Sequence, residues 1–191
     1  MEEIELLCEK LEDMTLMPYD SFPDIDLYMD QVLGYIARKP GSFRADDKLT
    51  SAMVNNYVKA GILPRANGKK YTHEHLVYLL IISRLKQVLS VKDTGAVMSA
   101  CKGEKSDRDF YNGFDELIRE SVDSITEKLT GSGEDLASAA MRLAAESYIC
   151  KAACEYIIDC LDEKNPHTEK KQKAPKQEHV TKRPGGKDNE N

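Results

Sequence analysis

The 191 residues contain no tryptophan and only four phenylalanines, so a core has to be built from aliphatic side chains and tyrosine. No stretch approaches the roughly 18 consecutive apolar residues that a membrane-crossing helix needs. The chain opens Met1-Glu2-Glu3, without the basic and then apolar run of a secretory leader, so the expected location is the cytoplasm. Five cysteines, at positions 8, 101, 150, 154 and 160, make an odd number and no disulfide framework; reduced thiols fit that location. There is no Gly-rich phosphate loop, no serine nucleophile elbow and no metalloprotease motif. The acid pairs Asp46-Asp47 and Asp115-Glu116 are adjacent, so on a helix they diverge, and no apolar cleft raises a pKa for acid–base work. Cys150 and Cys154 stand one helical turn apart on an Ala-rich stretch, which reads as small core residues rather than a metal edge. His73 and His75, two apart, point to different sides of a helix and do not chelate together. The expectation is a non-enzyme with no catalytic residue, no metal and no cofactor.

What is present is a globular composition, 41% apolar and 31% charged, long enough for one domain of about 150 residues and a tail. The formal charge of −6 is strongly segregated. Residues 1–37 carry 10 acids and 1 base, net −9; residues 38–90 carry 10 bases and 3 acids, net +7. Residues 91–163 carry 8 bases and 16 acids, net −8; residues 164–191 carry 8 bases and 4 acids, net +4. The average charge argues against a polyanionic partner, but the balance within 38–90 argues for one.

Periodicity and capping residues predict helices throughout. Residues 2–13 place Ile4, Leu7, Cys8 and Leu11 at helical spacing. Asp24 caps a helix over 24–38, Pro40-Gly41 ends it, and 41–48 form a polar loop. Thr50 caps a short helix over 51–60, with Gly61 as its stop. Asn67-Gly68 suits the centre of a type I′ hairpin turn. Thr72 caps a helix running to about Val88, with Leu76, Leu79, Leu80, Ile82 and Leu85 as its apolar positions. Ser90 and Asp93 open a helix over 91–102, weakened by Gly95. Ser106 caps a helix with Phe110, Phe114, Leu117, Ser121, Ile125 and Lys128 in register, and Ser132 opens the last one. The seam of that last helix reads Leu136, Ala140, Leu143, Ser147, Cys150, Cys154, Ile157 and Leu161. Residues 164–191 read as a disordered basic tail.

The most informative stretch is 49–89. At 100° per residue, Val54, Tyr57, Val58 and Gly61 share one side of the helix over 51–60, expected to pack on the helix after Thr72. Ala52, Asn55, Asn56 and Lys59 share the other. Asparagine pairs with the N6/N7 edge of adenine, and lysine neutralises a phosphate. Arg65, Lys69 and Lys70 follow on the hairpin. A polar helix beside a basic hairpin is the arrangement of a winged helix-turn-helix, whose helix enters the major groove while the wing flanks it.

Residues Leu49 to Pro64, with the Gly-Ile-Leu-Pro ending, resemble the recognition-helix stretch of MerR-type regulators, and Gly68 to Leu76 resembles their wing end and following helix. Residues 20–155 are also similar to a bacterial family known as domain of unknown function 1836, found in low-GC Gram-positives. The words that carry this are Tyr-Met-Asp-Gln-Val at 28–32, Leu-Thr-Ser-Ala-Met-Val-Asn-Asn-Tyr-Val-Lys-Ala-Gly at 49–61 and Leu-Lys-Gln-Val-Leu-Ser at 85–90. The resemblance implies DNA binding and no reaction. MerR-type helices usually carry arginine where this chain has Asn55 and an aromatic where it has Asn56, which either weakens the phosphate clamp or moves it to Arg44, Lys48 or the wing.

The expected fold is therefore all-α with a small β-hairpin wing: an N-terminal helix and linker (1–23), a MerR-like winged helix-turn-helix (24–102), a helical hairpin (106–163) and the tail. The expected function is sequence-specific duplex DNA binding in transcription regulation. Asn55 and Asn56 would read bases, Lys59, Arg65, Lys69 and Lys70 would hold phosphates, and Ser51 and Tyr71 would support them. The alternative is an adaptor whose basic face docks an acidic protein. The seam at 136–161 packs within the chain or makes a two-fold homodimer, which suits a palindromic operator. Phe110, Phe114, Tyr148 and Tyr156 are the aromatics available to line an effector pocket, but nothing else in the residues argues for a small-molecule effector.

Overall fold

A computed structural model describes residues 2–38 and 48–164. The predicted loop 41–48, apart from Lys48, and the predicted tail beyond Lys164 lie outside the described residues. The described chain is mostly helical, with one small antiparallel sheet, as the sequence led us to expect. The helices are α1 (Glu2–Glu12), α2 (Met29–Ala37), α3 (Ser51–Lys59), α4 (His73–Leu85), α5 (Val91–Lys102), α6 (Asp107–Gly131) and α7 (Leu136–Lys164). The strands are β1 (Leu27–Tyr28) and β2 (Lys70–Tyr71), paired Leu27 to Tyr71 and Tyr28 to Lys70.

The centre of the fold is α4. Leu76, Val77, Leu79, Leu80, Ile81 and Ile82 are all buried, on every side of the helix. A helix apolar all round has to be surrounded. Here α2, β2 and α6 pack against it, and side chains from Leu16 to Tyr111 complete a single core. The residues before β1 are part of that core rather than a loose linker: Leu16 and Phe22 are buried. The Leu16 amide donates to Asp115 Oδ1 at 2.9 Å, and the Tyr111 hydroxyl donates to the Met17 carbonyl at 2.8 Å. Arg119 closes the strap, holding Asp115 at 2.9 Å and the Leu16 carbonyl at 3.2 Å. Arg108 stacks 4.5 Å over Tyr19 and pairs with Asp20, which holds that carboxyl below the usual range.

Several boundaries differ from the expectation. Helix α2 starts at Met29, not near Asp24, because Leu27 and Tyr28 are committed to the sheet; the Tyr28 amide donates to Gln31 Oε1 at 2.9 Å. Helix α4 stops at Leu85 and residues 86–88 are turn. On α6 the inward face is Phe110, Tyr111, Val122 and Leu129; Leu117 is 60% exposed and Ser121 is also exposed. The cap of α7 is Asp135 rather than Ser132, accepting from the amides of Ala137 and Ser138 at 2.9 and 3.0 Å. The expected α7 seam is only partly covered: Leu143, Cys154 and Leu161 are half-buried, while Leu136, Ala140, Ser147, Cys150 and Ile157 are exposed. The fully buried residues beside it are Ala139 and Ile158, and α7 packs against α5.

Helix α5 spans 91–102 as expected, and Ser90 caps it through the Asp93 amide at 3.2 Å. Gly95 has a packing reason: a Cβ there would meet Ile62 Cγ2 at 2.4 Å. That methyl sits on a branched carbon and cannot swing clear. Gly95→Ala therefore loses more from overpacking than the ~1 kcal/mol it gains in helix propensity, for a net destabilisation of about 1 kcal/mol in chemical denaturation. In an Ile62→Ala background the same change becomes neutral or stabilising.

Candidate nucleic-acid interface

Helix α3 is a short, well-terminated element. Thr50 Oγ1 accepts from the Met53 amide at 3.3 Å, which satisfies one of the orphan donors of the first turn. At the other end Gly61 takes φ 76°. Its amide donates to the Val58 carbonyl at 3.1 Å and the Ile62 amide donates to the Tyr57 carbonyl at 3.1 Å, the paired closure of a Schellman motif. Leu63 is then buried and anchors the exit.

The two sides of α3 divide as the spacing predicts. Val54 and Tyr57 are buried and Val58 is half-buried, whereas Ser51, Ala52, Asn55, Asn56 and Lys59 are exposed. The helix packed against α3 is α2, and the α3 side chains join those of α4 in the common core rather than resting on α4 alone. Helix α2 also packs against β2, so the polar face of α3 and the basic turn flank the same element.

The turn itself is shifted by one residue. Asn67 and Lys70 exchange both backbone hydrogen bonds, at 3.0 and 2.9 Å, which makes Gly68 and Lys69 its central pair. Both have positive φ, 53° and 71°, as a type I′ turn requires. Lys69 holds this left-handed conformation without being glycine. Strand β2 pairs outward with β1 rather than with a long upstream flank, so the wing is closed by a segment 42 residues earlier in the chain.

Of the expected contact residues, Ser51, Asn55, Asn56, Lys59, Arg65, Lys69 and Lys70 are exposed, as is Lys48. Tyr71 is not on this surface. It is buried, its ring centroid 5.4 Å from that of His75, and burial pushes its phenol above the ordinary range, as it does for Tyr57. Arg44 lies outside the described residues. One residue escaped the sequence reading: Tyr28 is 54% exposed and Lys70 Nζ sits 5.9 Å from its ring centroid. Its alternation with buried Leu27 is the signal, but two residues are too few to mark a strand.

Six basic side chains elsewhere pair with carboxylates: Lys102 with Asp107, Arg108 with Asp20, Arg119 with Asp115, Lys128 with Glu146, Arg142 with Glu134 and Lys151 with Glu155. Among the described residues no carboxylate pairs with Lys59, Arg65, Lys69 or Lys70.

The two described histidines are spent on structure. His75 Nδ1 lies 3.1 Å from the Thr72 amide and 2.8 Å from its hydroxyl, closing the α4 cap, and His73 stacks on Tyr19 and Phe22. The cysteines are all free; Cys101 and Cys150 are exposed, so Cys150 is not the small core residue expected of it. Among the described residues no cluster of three or more His, Cys, Asp or Glu side chains is arranged for a metal ion, and no helix is long and apolar enough to cross a membrane. Phe110 is in the core while Tyr148 and Tyr156 are each 71% exposed on α7, so the four aromatics considered for an effector pocket do not gather.

Residues 17–118 match the family model described as Domain of unknown function (DUF1836), and the chain belongs to that family. No curated protein and no solved structure matches. The matched span opens one residue after Leu16 and closes within α6, beyond Tyr111, so it contains nearly all of the common core; α1 and the whole of α7 fall outside it.

The seating of α3 rests on its two ends. Gly61→Ala forces a side chain into the left-handed region and lowers stability by about 1 kcal/mol, with Gly61→Asn losing less. Thr50→Ala costs a similar ~1 kcal/mol by removing the cap. Urea titrations followed by circular dichroism measure both.

Proposed function

We propose that this chain is a non-enzymatic, sequence-specific binder of duplex DNA that acts in transcription regulation, with α2 and α3 as a MerR-like helix-turn-helix and the turn at 67–70 as its wing. The observation that carries the reading is the contrast in pairing: among the described residues Lys59, Arg65, Lys69 and Lys70 around α3 and the turn stand without carboxylate partners, while Lys102, Arg108, Arg119, Lys128, Arg142 and Lys151 on α5, α6 and α7 each pair with a carboxylate of the chain. A face used on the molecule's own acidic helices would not be left open in this way.

In this reading α3 lies in the major groove. Asn55 and Asn56 present carboxamides to base edges, each bidentate pair discriminating by about 1–3 kcal/mol. Lys59, Arg65, Lys69 and Lys70 lie along phosphates, Ser51 donates to the backbone, and Tyr28 packs beside Lys70 on the sugar-phosphate edge. Gly68 and Lys69 carry the wing forward on a turn whose strands twist together.

Fluorescence anisotropy with pooled genomic duplex fragments tests this, using chains ending at residue 163 so that the basic stretch after it adds nothing. Binding weakens with salt at a log–log slope near −3.6 per protomer for about four phosphate contacts. The triple change of Arg65, Lys69 and Lys70 to alanine lowers the slope by about three contacts and removes most of the affinity. Absence of binding by the unaltered chain at low salt overturns the reading in favour of an adaptor, for which the same basic face is the docking surface for an acidic protein.

A further inference from the structure

Helix α7 is apolar on two opposite sides, and the described residues cover only one, in part. Ala139 and Ile158 are buried, with Leu143, Cys154 and Leu161 half-buried beside them. On the far side Met141 is 73% exposed, Tyr148 71%, Ile149 62% and Tyr156 71%, and Ala145 and Ala152 are exposed between them. At 100° per residue these six fall within an arc of roughly 100°, the width of a buried helix stripe.

We propose that a second copy of this chain covers that stripe, with the two α7 helices antiparallel about a two-fold axis between Tyr148 and Ile149. The pattern is symmetric about that point. Met141 and Tyr156 stand equally far on either side of it, as do Ala145 and Ala152. A two-fold interface requires this, because each patch must fit itself reversed. Antiparallel pairing sets Met141 against Tyr156 of the second copy, a sulfur–aromatic contact, and brings Ala145 level with Ala152, where small side chains let the helices approach closely.

One further pair fits this direction: Asp159 and Ser138 both lie in line with the stripe, and antiparallel pairing sets them level with each other across the two-fold axis. Parallel pairing would set Asp159 beside its own copy, acid against acid, and would align the two helix dipoles unfavourably. The area suffices: the four large side chains offer roughly 500 Å² per protomer, and about 1,000 Å² for the pair reaches the lower range of specific interfaces. The proposal does not depend on DNA binding.

Analytical ultracentrifugation of the full chain is expected to give twice the monomer mass. Changing Tyr148 and Ile149 together to glutamate halves it while the far-ultraviolet spectrum stays helical, since both side chains are exposed. Direction is read by disulfide trapping, with Cys101, Cys150, Cys154 and Cys160 replaced by serine. Ala145→Cys and Ala152→Cys chains trap a covalent dimer when mixed and little when alone. A monomer at every concentration, a mass unchanged by the double glutamate substitution, or Ala145→Cys trapping itself as fast as the mixture overturns the proposal; a monomer that binds a different protein through this stripe does so equally.

Discussion

Everything else in the molecule is arranged around the need to keep water from α4. Six consecutive-turn aliphatics, from Leu76 to Ile82, leave that helix with no polar side to offer solvent. Fully burying each side chain contributes about 1.5–3 kcal/mol, so exposing one flank would consume a large part of a small domain's stability. The flanks are closed by α2 and β2 on one side and by the first turns of α6 on another. The N-terminal segment is drawn in as well, its Leu16 and Met17 backbone held by Asp115, Arg119 and Tyr111. The N-terminal segment and the first turns of α6, about 100 residues apart, thus belong to one core, and the span matched by the family model covers most of it.

The candidate surface inherits its rigidity from this core. Val54, Tyr57 and Leu63 fix which side of α3 faces in, so Asn55, Asn56 and Lys59 have no choice but to face out. The turn at 67–70 is held by β2, whose Tyr71 is buried against His75, and His75 closes the cap of α4. A basic surface built on buried anchors is pre-organised, and a polyanion binding it gives up little ordering entropy. Tyr71 serves that surface from beneath it, as an anchor of the wing.

Local features were legible in the sequence. Thr50, Gly61, Thr72, Ser90 and Ser106 each end or begin a helix as read, because capping is decided within three or four residues. The exposure of Asn55, Asn56, Lys59 and the wing bases followed from spacing alone. What escaped was non-local. Strand β1 exists only because Lys70 and Tyr71 come to pair with it, and that contact robbed the predicted helix of its first turn. Gly95 looked like a weakness until Ile62 filled the space above it. On α7 the 4-3 pattern identified the helix and the side the chain partly covers, where Leu143, Cys154 and Leu161 are half-buried, but not the apolar residues that run exposed along the opposite face. A periodic pattern names the element and one face; only the partner decides how deeply that face is buried.

The central claim is that α3 reads bases rather than only resting on phosphates. Selection of bound duplexes from a random-sequence library, run in parallel for the unaltered chain and for Asn55→Ala and Asn56→Ala, tests it most directly. The account predicts one enriched sequence for the unaltered chain, a relaxed preference confined to a few positions for each variant, and an unchanged salt slope. Enrichment of no sequence by the unaltered chain, or the same sequence from all three proteins, would contradict it.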